Sequence, residues 1–160
     1  SVLHSSRNIA IMGGGAAGMA CALWLKHLGF SPVLIEPGTA LGGQLLRINR
    51  INRWILGIQG QTGPALAGLY GSHVLDEAIE VRLGVRPVSV MVEDSGFSLV
   101  VREGENPTTS LPVQALVIAT GLRVRAPEIL HPIPGALPLY ESGLLSFFPL
   151  DHLEPMEALE

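Results

Sequence analysis

The chain has 160 residues, 48% of them hydrophobic and only 15% charged, with a formal net charge of −4. That is enough chain for one domain with a real core, and the acidic balance with scattered basic residues argues against nucleic acid as a partner. No run approaches eighteen apolar residues, no secretory signal opens the chain, and the single cysteine, Cys21, can form neither an internal disulfide nor a Cys-x-x-Cys pair, so a cytoplasmic protein with no membrane contact is expected.

Residues 1–7 read as a short polar lead-in. A buried strand is expected over 8–12, followed by Gly13-Gly14-Gly15-Ala16-Ala17-Gly18 and a helix over 16–28. The helix is read with Ala16, Met19, Ala20, Leu23, Trp24 and Leu28 on its apolar face and Gly29 as its stop. Pro32-Val33-Leu34-Ile35-Glu36 is a second short strand. The spacing Gly13-x-Gly15-x-x-Gly18 between a strand and a helix fits a dinucleotide-binding turn. Gly13 allows the sharp turn, Gly15 lets backbone approach a pyrophosphate, and Gly18 lets the helix pack on the strand. The phosphates would rest on the free N–H groups at the helix start. Glu36, eighteen residues after Gly18, stands near the place where a carboxylate would take a ribose hydroxyl.

After a turn at Pro37 comes Gly42-Gly43-Gln44-Leu45, a loop suited to lying against a flat ligand. Arg47, Arg50 and Arg53 follow at three-residue spacing. On a helical turn they would share one face, where they would meet phosphate or solvent. Thr62-Gly63-Pro64 opens a second helix over 64–78, with Leu66, Leu69, Tyr70, Val74 and Leu75 as its buried stripe. A third parallel strand is expected over 78–85. Three alternating runs, 88–93, 97–102 and 110–114, read as an antiparallel meander. The apolar run 115–119 suits a buried strand of a parallel sheet and ends at Thr120-Gly121. Beyond Leu122 prolines recur, and residues 123–160 read as an extended tail with one short helix or strand around Leu144–Phe148.

In this order and with these intervals, the glycine turn, Glu36, Gly42-Gly43-Gln44-Leu45, Thr62-Gly63-Pro64 and Val117-Ile118-Ala119-Thr120-Gly121 resemble the FAD-binding domain of thioredoxin-reductase-like flavoproteins. These belong to the wider group of oxidoreductases with two dinucleotide-binding domains. The resemblance covers about residues 7–122. It implies an α/β fold: a Rossmann-like parallel sheet with helices and a three-stranded antiparallel β-meander crossover. It also implies an FAD site. The phosphates would lie over Gly13, Gly15, Ala16, Ala17 and Gly18, and the adenosine ribose at Glu36 with Pro37 beside it. Gly43, Gln44 and Leu45 would meet the flavin or its ribityl chain. Val85 or Arg86 would offer backbone groups to adenine, and Ala119, Thr120 and Gly121 would pass the pyrophosphate and ribityl region.

Three departures from the family accompany it. Arg53 stands before Trp54 where thioredoxin reductases keep an asparagine, with Asn52 one residue off. The redox Cys-x-x-Cys is absent. The sequence stops about where the family's second, NAD(P)H-binding domain would start, so residues 1–122 are expected to be the FAD domain and 123–160 a proline-rich linker toward a second domain. The function implied is the FAD-binding portion of an NAD(P)H-dependent oxidoreductase, with no catalytic side chain or metal site of its own. One alternative is a cofactor-free module that forms a homodimer through the 123–160 tail. A weaker alternative is a plain NAD-binding Rossmann domain.

Overall fold

The computed structural model describes residues 8–122 and 125–145. Strand β1 (Asn8–Met12) runs into the glycine turn and helix α1 (Ala16–His27), and β2 (Ser31–Glu36) follows. A 3-10 helix (Gly43–Arg47) and a loop lead to α2 (Gly63–Asp76). Then come β3 (Glu80–Leu83), the hairpin strands β4 (Val85–Glu93) and β5 (Gly96–Glu103), β6 (Thr109–Val113) and β7 (Ala115–Ile118). Two short helices, α3 (Ala126–Leu130) and α4 (Ala136–Glu141), complete the described residues.

The first sheet is parallel, in the order β3-β2-β1-β7, and β4-β5-β6 form a separate antiparallel sheet. Side chains alternate across each parallel strand, and the two faces are buried differently. Ala10, Met12, Val33 and Ile35 pack against Val85, Leu99, Val101 and Val113 of the meander. Ile11 and Leu34 face the other way, onto Met19, Ala22, Val74 and Ile79. The chain therefore has three layers: helices, parallel sheet and meander. The expected Rossmann-like sheet with its meander crossover is the architecture found.

Several local expectations are corrected. In α1 the buried residues are Gly18, Met19 and Ala22, while Ala16 and Ala20 are exposed, as are Trp24 (67%) and Leu28 (64%). Gly18 lies directly on the backbone of Gly13, and that contact fixes the rotation of the helix about its axis. Trp24 instead meets His27 edge-on at the surface. In α2 Leu66 and Val74 are buried as expected, but Leu69 and Leu75 are exposed. The buried face runs through Gly63, Ala67 and Gly71, at the four-residue spacing of one helix face. Small side chains there admit close backbone approach, a signal that a count of large apolar residues misses. Thr62 caps this helix, its Oγ1 accepting from the N–H of Ala65 at 3.4 Å.

Strand β3 is shorter than expected because Ala78 takes a left-handed turn (φ 52°) between α2 and the strand. The apolar β7 is an edge of the described sheet, with Ile118 76% exposed, rather than a fully buried strand. In the tail the helices fall at 126–130 and 136–141, where prolines suggested extended chain. Pro127 sits in the first turn of α3, where its missing N–H breaks no helical bond. Residues 146–148 of the expected element lie outside the described residues.

The correction in α2 is measurable. Leu66→Ala should cost about 2–5 kcal/mol in urea unfolding, the range for truncating a fully buried leucine. Leu69→Ala on the exposed side should cost less than about 1 kcal/mol.

Candidate functional site

The parallel strands β1, β2 and β7 all end on one side, and a cleft of about 580 Å³ opens there. This is where open α/β sheets place ligands, beyond the carboxyl ends of the strands. The cleft lies between the turn after β1, the residue ending β2, the 3-10 helix and the segment after β7.

The glycine turn is held from both sides. Gly13 N–H donates to the Ile35 carbonyl at 2.8 Å, and Ala119 N–H donates to the Met12 carbonyl at 2.9 Å. Gly13 takes φ +112°, and a Cβ there would come within 2.3 Å of the Ala119 carbonyl oxygen. A Cβ on Gly18 would stand 1.9 Å from the Gly13 carbonyl oxygen. Both positions are glycine because protein backbone fills the space.

Gly15 is different. It is the N-cap of α1, with an extended backbone (φ −75°, ψ −178°) that any residue adopts. A Cβ there would meet nothing nearer than the Gly43 Cα at 3.9 Å. It lines the cleft together with Ala16 and Ala17, the first residues of the helix. The protein does not require a glycine at this position, and the space that a side chain would take belongs to the cleft. Helix α1 adds unpaired N–H groups and the positive end of its dipole at the same place, and no acidic residue in its first turn competes for them. This arrangement accepts an anion.

Glu36, at the end of β2, turns its carboxylate back onto the turn. Oε2 accepts from Gly14 N–H at 2.7 Å and Oε1 from Gly38 N–H at 2.6 Å. An ionised carboxylate has about four acceptor sites, so both oxygens keep capacity for a ligand hydroxyl. On the far wall, Gly42 N–H donates to the Gly14 carbonyl at 2.8 Å, bringing the Gly43-Gln44 segment against the turn. Gln44 Nε2 donates to the Leu122 carbonyl at 3.2 Å and ties the 3-10 helix to the segment after β7.

Of the residues singled out from sequence, the structure brings to this cleft Gly13, Gly15, Ala16, Ala17, Glu36 and Pro37. On the other side stand Gly43 and Gln44, with Ala119, Thr120 and Gly121. Four are not among its lining. Gly18 packs under the turn, and Leu45 presses its carbonyl toward Gly63 of α2. Val85 is buried between the sheets and Arg86 is paired with Arg102 in the meander; Pro87 reaches the cleft instead. Leu122 also lines it without having been singled out, as does Arg47, which the sequence offered to phosphate or solvent alike. The three-arginine face does not form: the 3-10 helix ends at Arg47, and Ile48 is already extended. The loop beyond is organised by Asn52, which bridges backbone with Gln61 and accepts from Trp54 N–H at 2.8 Å.

Among the described residues, no group of three acidic, histidine or cysteine side chains could hold a metal ion, and no helix is long and apolar enough to cross a membrane.

Residues 7–157 match the family model described as pyridine nucleotide-disulphide oxidoreductase. A thioredoxin reductase of Buchnera aphidicola is 28% identical over 116 residues, which is 66% of this chain and 36% of that protein. The hydrogen cyanide synthase subunit HcnB of Pseudomonas protegens is 34% identical over 136 residues, 81% of this chain and 27% of that protein. Among solved structures, the thioredoxin reductase of Lactococcus lactis superposes with a TM-score of 0.69 at 20% identity, covering 85% of this chain and 41% of that one. That of T. acidophilum gives 0.60 at 26% identity, covering 72% and 36%. The chain thus spans about a third of the length of these curated relatives. It belongs to the pyridine nucleotide-disulphide oxidoreductase family, with a thioredoxin-reductase-like FAD-domain fold, and that membership implies FAD.

The contact under the turn has a direct test. Gly18→Ala should cost about 3 kcal/mol or more, since the added methyl must push α1 off the end of β1. Denaturant unfolding would record this as a lower midpoint.

Proposed function

We propose that this chain holds FAD across the carboxyl ends of β2, β1 and β7, as the FAD-binding portion of an NAD(P)H-dependent flavoprotein oxidoreductase. The observation that carries the reading is Gly15, a glycine that neither backbone conformation nor packing requires, facing the cleft at the start of α1. The fit with FAD follows the order of the sheet. Glu36 and Pro37 would take the adenosine ribose. The N–H groups at the start of α1 would take the pyrophosphate. Gly43, Gln44 and the Ala119–Gly121 segment would take the ribityl and flavin half.

Bound there, FAD supplies two-electron chemistry, accepting hydride from a reduced nicotinamide. The residues of this chain bind and orient it. Glu36 accepts hydroxyl protons in hydrogen bonds, α1 neutralises phosphate charge, and the Gln44–Leu122 bond holds the flavin side of the cleft together. The only cysteine, Cys21, packs with the helix-side core, so the chain offers no dithiol to reduce. In this reading 1–122 is the cofactor unit, and 123–160 is a linker toward the second, NAD(P)H-binding domain that the family resemblance implies.

Added FAD should bind to the purified chain, quench its flavin fluorescence and co-elute as a yellow species. Gly15→Ala should leave the unfolding free energy within about 0.5 kcal/mol of the parent chain and weaken FAD by about tenfold or more, because a methyl would occupy the phosphate approach. A parent chain that stays colourless under saturating FAD would refute the proposal.

A further inference from the structure

Among the described residues, two that line the cleft carry ionisable side chains, Glu36 and Arg47. They belong to its opposite ends. Glu36 closes β2 and is bonded to the N–H groups of Gly14 and Gly38. Arg47 closes the 3-10 helix, three residues after Gln44. Residues three apart in a 3-10 helix eclipse one another, so Gln44 and Arg47 project from the same side. Gln44 is bonded to the Leu122 carbonyl, just beyond β7. That bond assigns this side of the helix to the β7 end of the cleft. Since β1 lies between β2 and β7, the two charged residues are separated by about two strand spacings, roughly 10 Å, with the glycine turn in the middle.

We propose that Arg47 is a positioning residue for the isoalloxazine half of FAD and raises the reduction potential of the bound flavin. The inference rests on the FAD reading above. A pyrophosphate at the start of α1 is already served by backbone N–H groups and the helix dipole. Among the described residues, the β7 end has no other cation in its lining, and it is the end that the flavin ring would occupy. The oxidised ring is neutral. Two electrons and one proton give a reduced ring that carries one negative charge. A guanidinium beside it therefore stabilises the reduced form more than the oxidised form, and its planar donors suit ring carbonyls. Lysine at this position would keep the charge and lose the planar fork.

The test uses the full 160-residue chain, its Arg47→Gln variant and its Arg47→Lys variant. Each is titrated with FAD and with ADP, which lacks the flavin, and each FAD complex is taken through a dithionite titration against a reference dye. In Arg47→Gln, FAD affinity should fall about tenfold, the worth of one charge-assisted hydrogen bond. ADP affinity should stay within about twofold, a difference too small to represent a lost charged contact. The midpoint potential should become more negative, and Arg47→Lys should recover it in large part. Equal losses of FAD and ADP would move Arg47 to the phosphates and overturn the inference. So would FAD binding with an unchanged potential in Arg47→Gln. Failure of the parent chain to bind FAD would overturn this inference together with the reading it rests on.

Discussion

The contact on which the rest of this structure depends is the approach of Gly18 to the Gly13 carbonyl, a place where a Cβ would lie 1.9 Å from oxygen. It presses the first turn of α1 onto the end of β1. Three consequences follow from that one constraint. The helix is rotated so that Met19 and Ala22 meet Ile11 and Leu34. Its N-terminus is aimed across the carboxyl edge of the sheet. The backbone between the two glycines is left exposed at Gly15, facing the cleft rather than the core.

The second constraint is the reuse of Glu36 as a strut. Its carboxylate spans from β2 to the glycine turn and to Gly38, so the residue proposed to read a ribose also fixes the loop on which the phosphates would rest. Preorganisation follows: the turn donates hydrogen bonds to Ile35 and Glu36 of β2, while Ala119 after β7 donates to Met12 at the end of β1 and Gly42 before the 3-10 helix donates to Gly14. A backbone constrained on three sides has little conformational freedom left to lose when a ligand docks, and ordering entropy is a main cost of binding.

The framework of the fold was legible because its signals are local. Apolar strands, a glycine turn at fixed spacing and polar hairpin turns each report on a few neighbouring residues, and β1 falls where the sequence places it. The misread positions depend on partners distant in sequence. Trp24 and Leu28 look like core by periodicity, yet the Gly13–Gly18 contact turns them outward. Ile118 reads as buried strand, but its burial depends on which elements flank β7, and the described sheet ends there. Most of the cleft could be listed from motifs, whereas Arg47 and Pro87 enter it through the path of the chain between motifs. The regular spacing of Arg47, Arg50 and Arg53 suggested a shared helical face, and only the end of the 3-10 helix at Arg47 decides which of the three reaches the cleft.

The distribution of charge explains why this cleft suits a long ligand with a charged middle and unlike ends. Its centre is lined by glycines and alanines at a helix N-terminus, so anionic phosphates bound there would meet backbone dipoles rather than side-chain cations. A lysine or arginine at the centre would bind phosphate more strongly, but as a flexible point of attachment that also accepts free phosphate or a mononucleotide. Backbone donors demand that the ligand come close, which the missing side chain of Gly15 permits. In the proposed reading, selectivity would move to the two ends, to the carboxylate of Glu36 on one side and the Gln44–Arg47 face on the other. A ligand must span both to use all the contacts, and the glycine turn determines where it would cross.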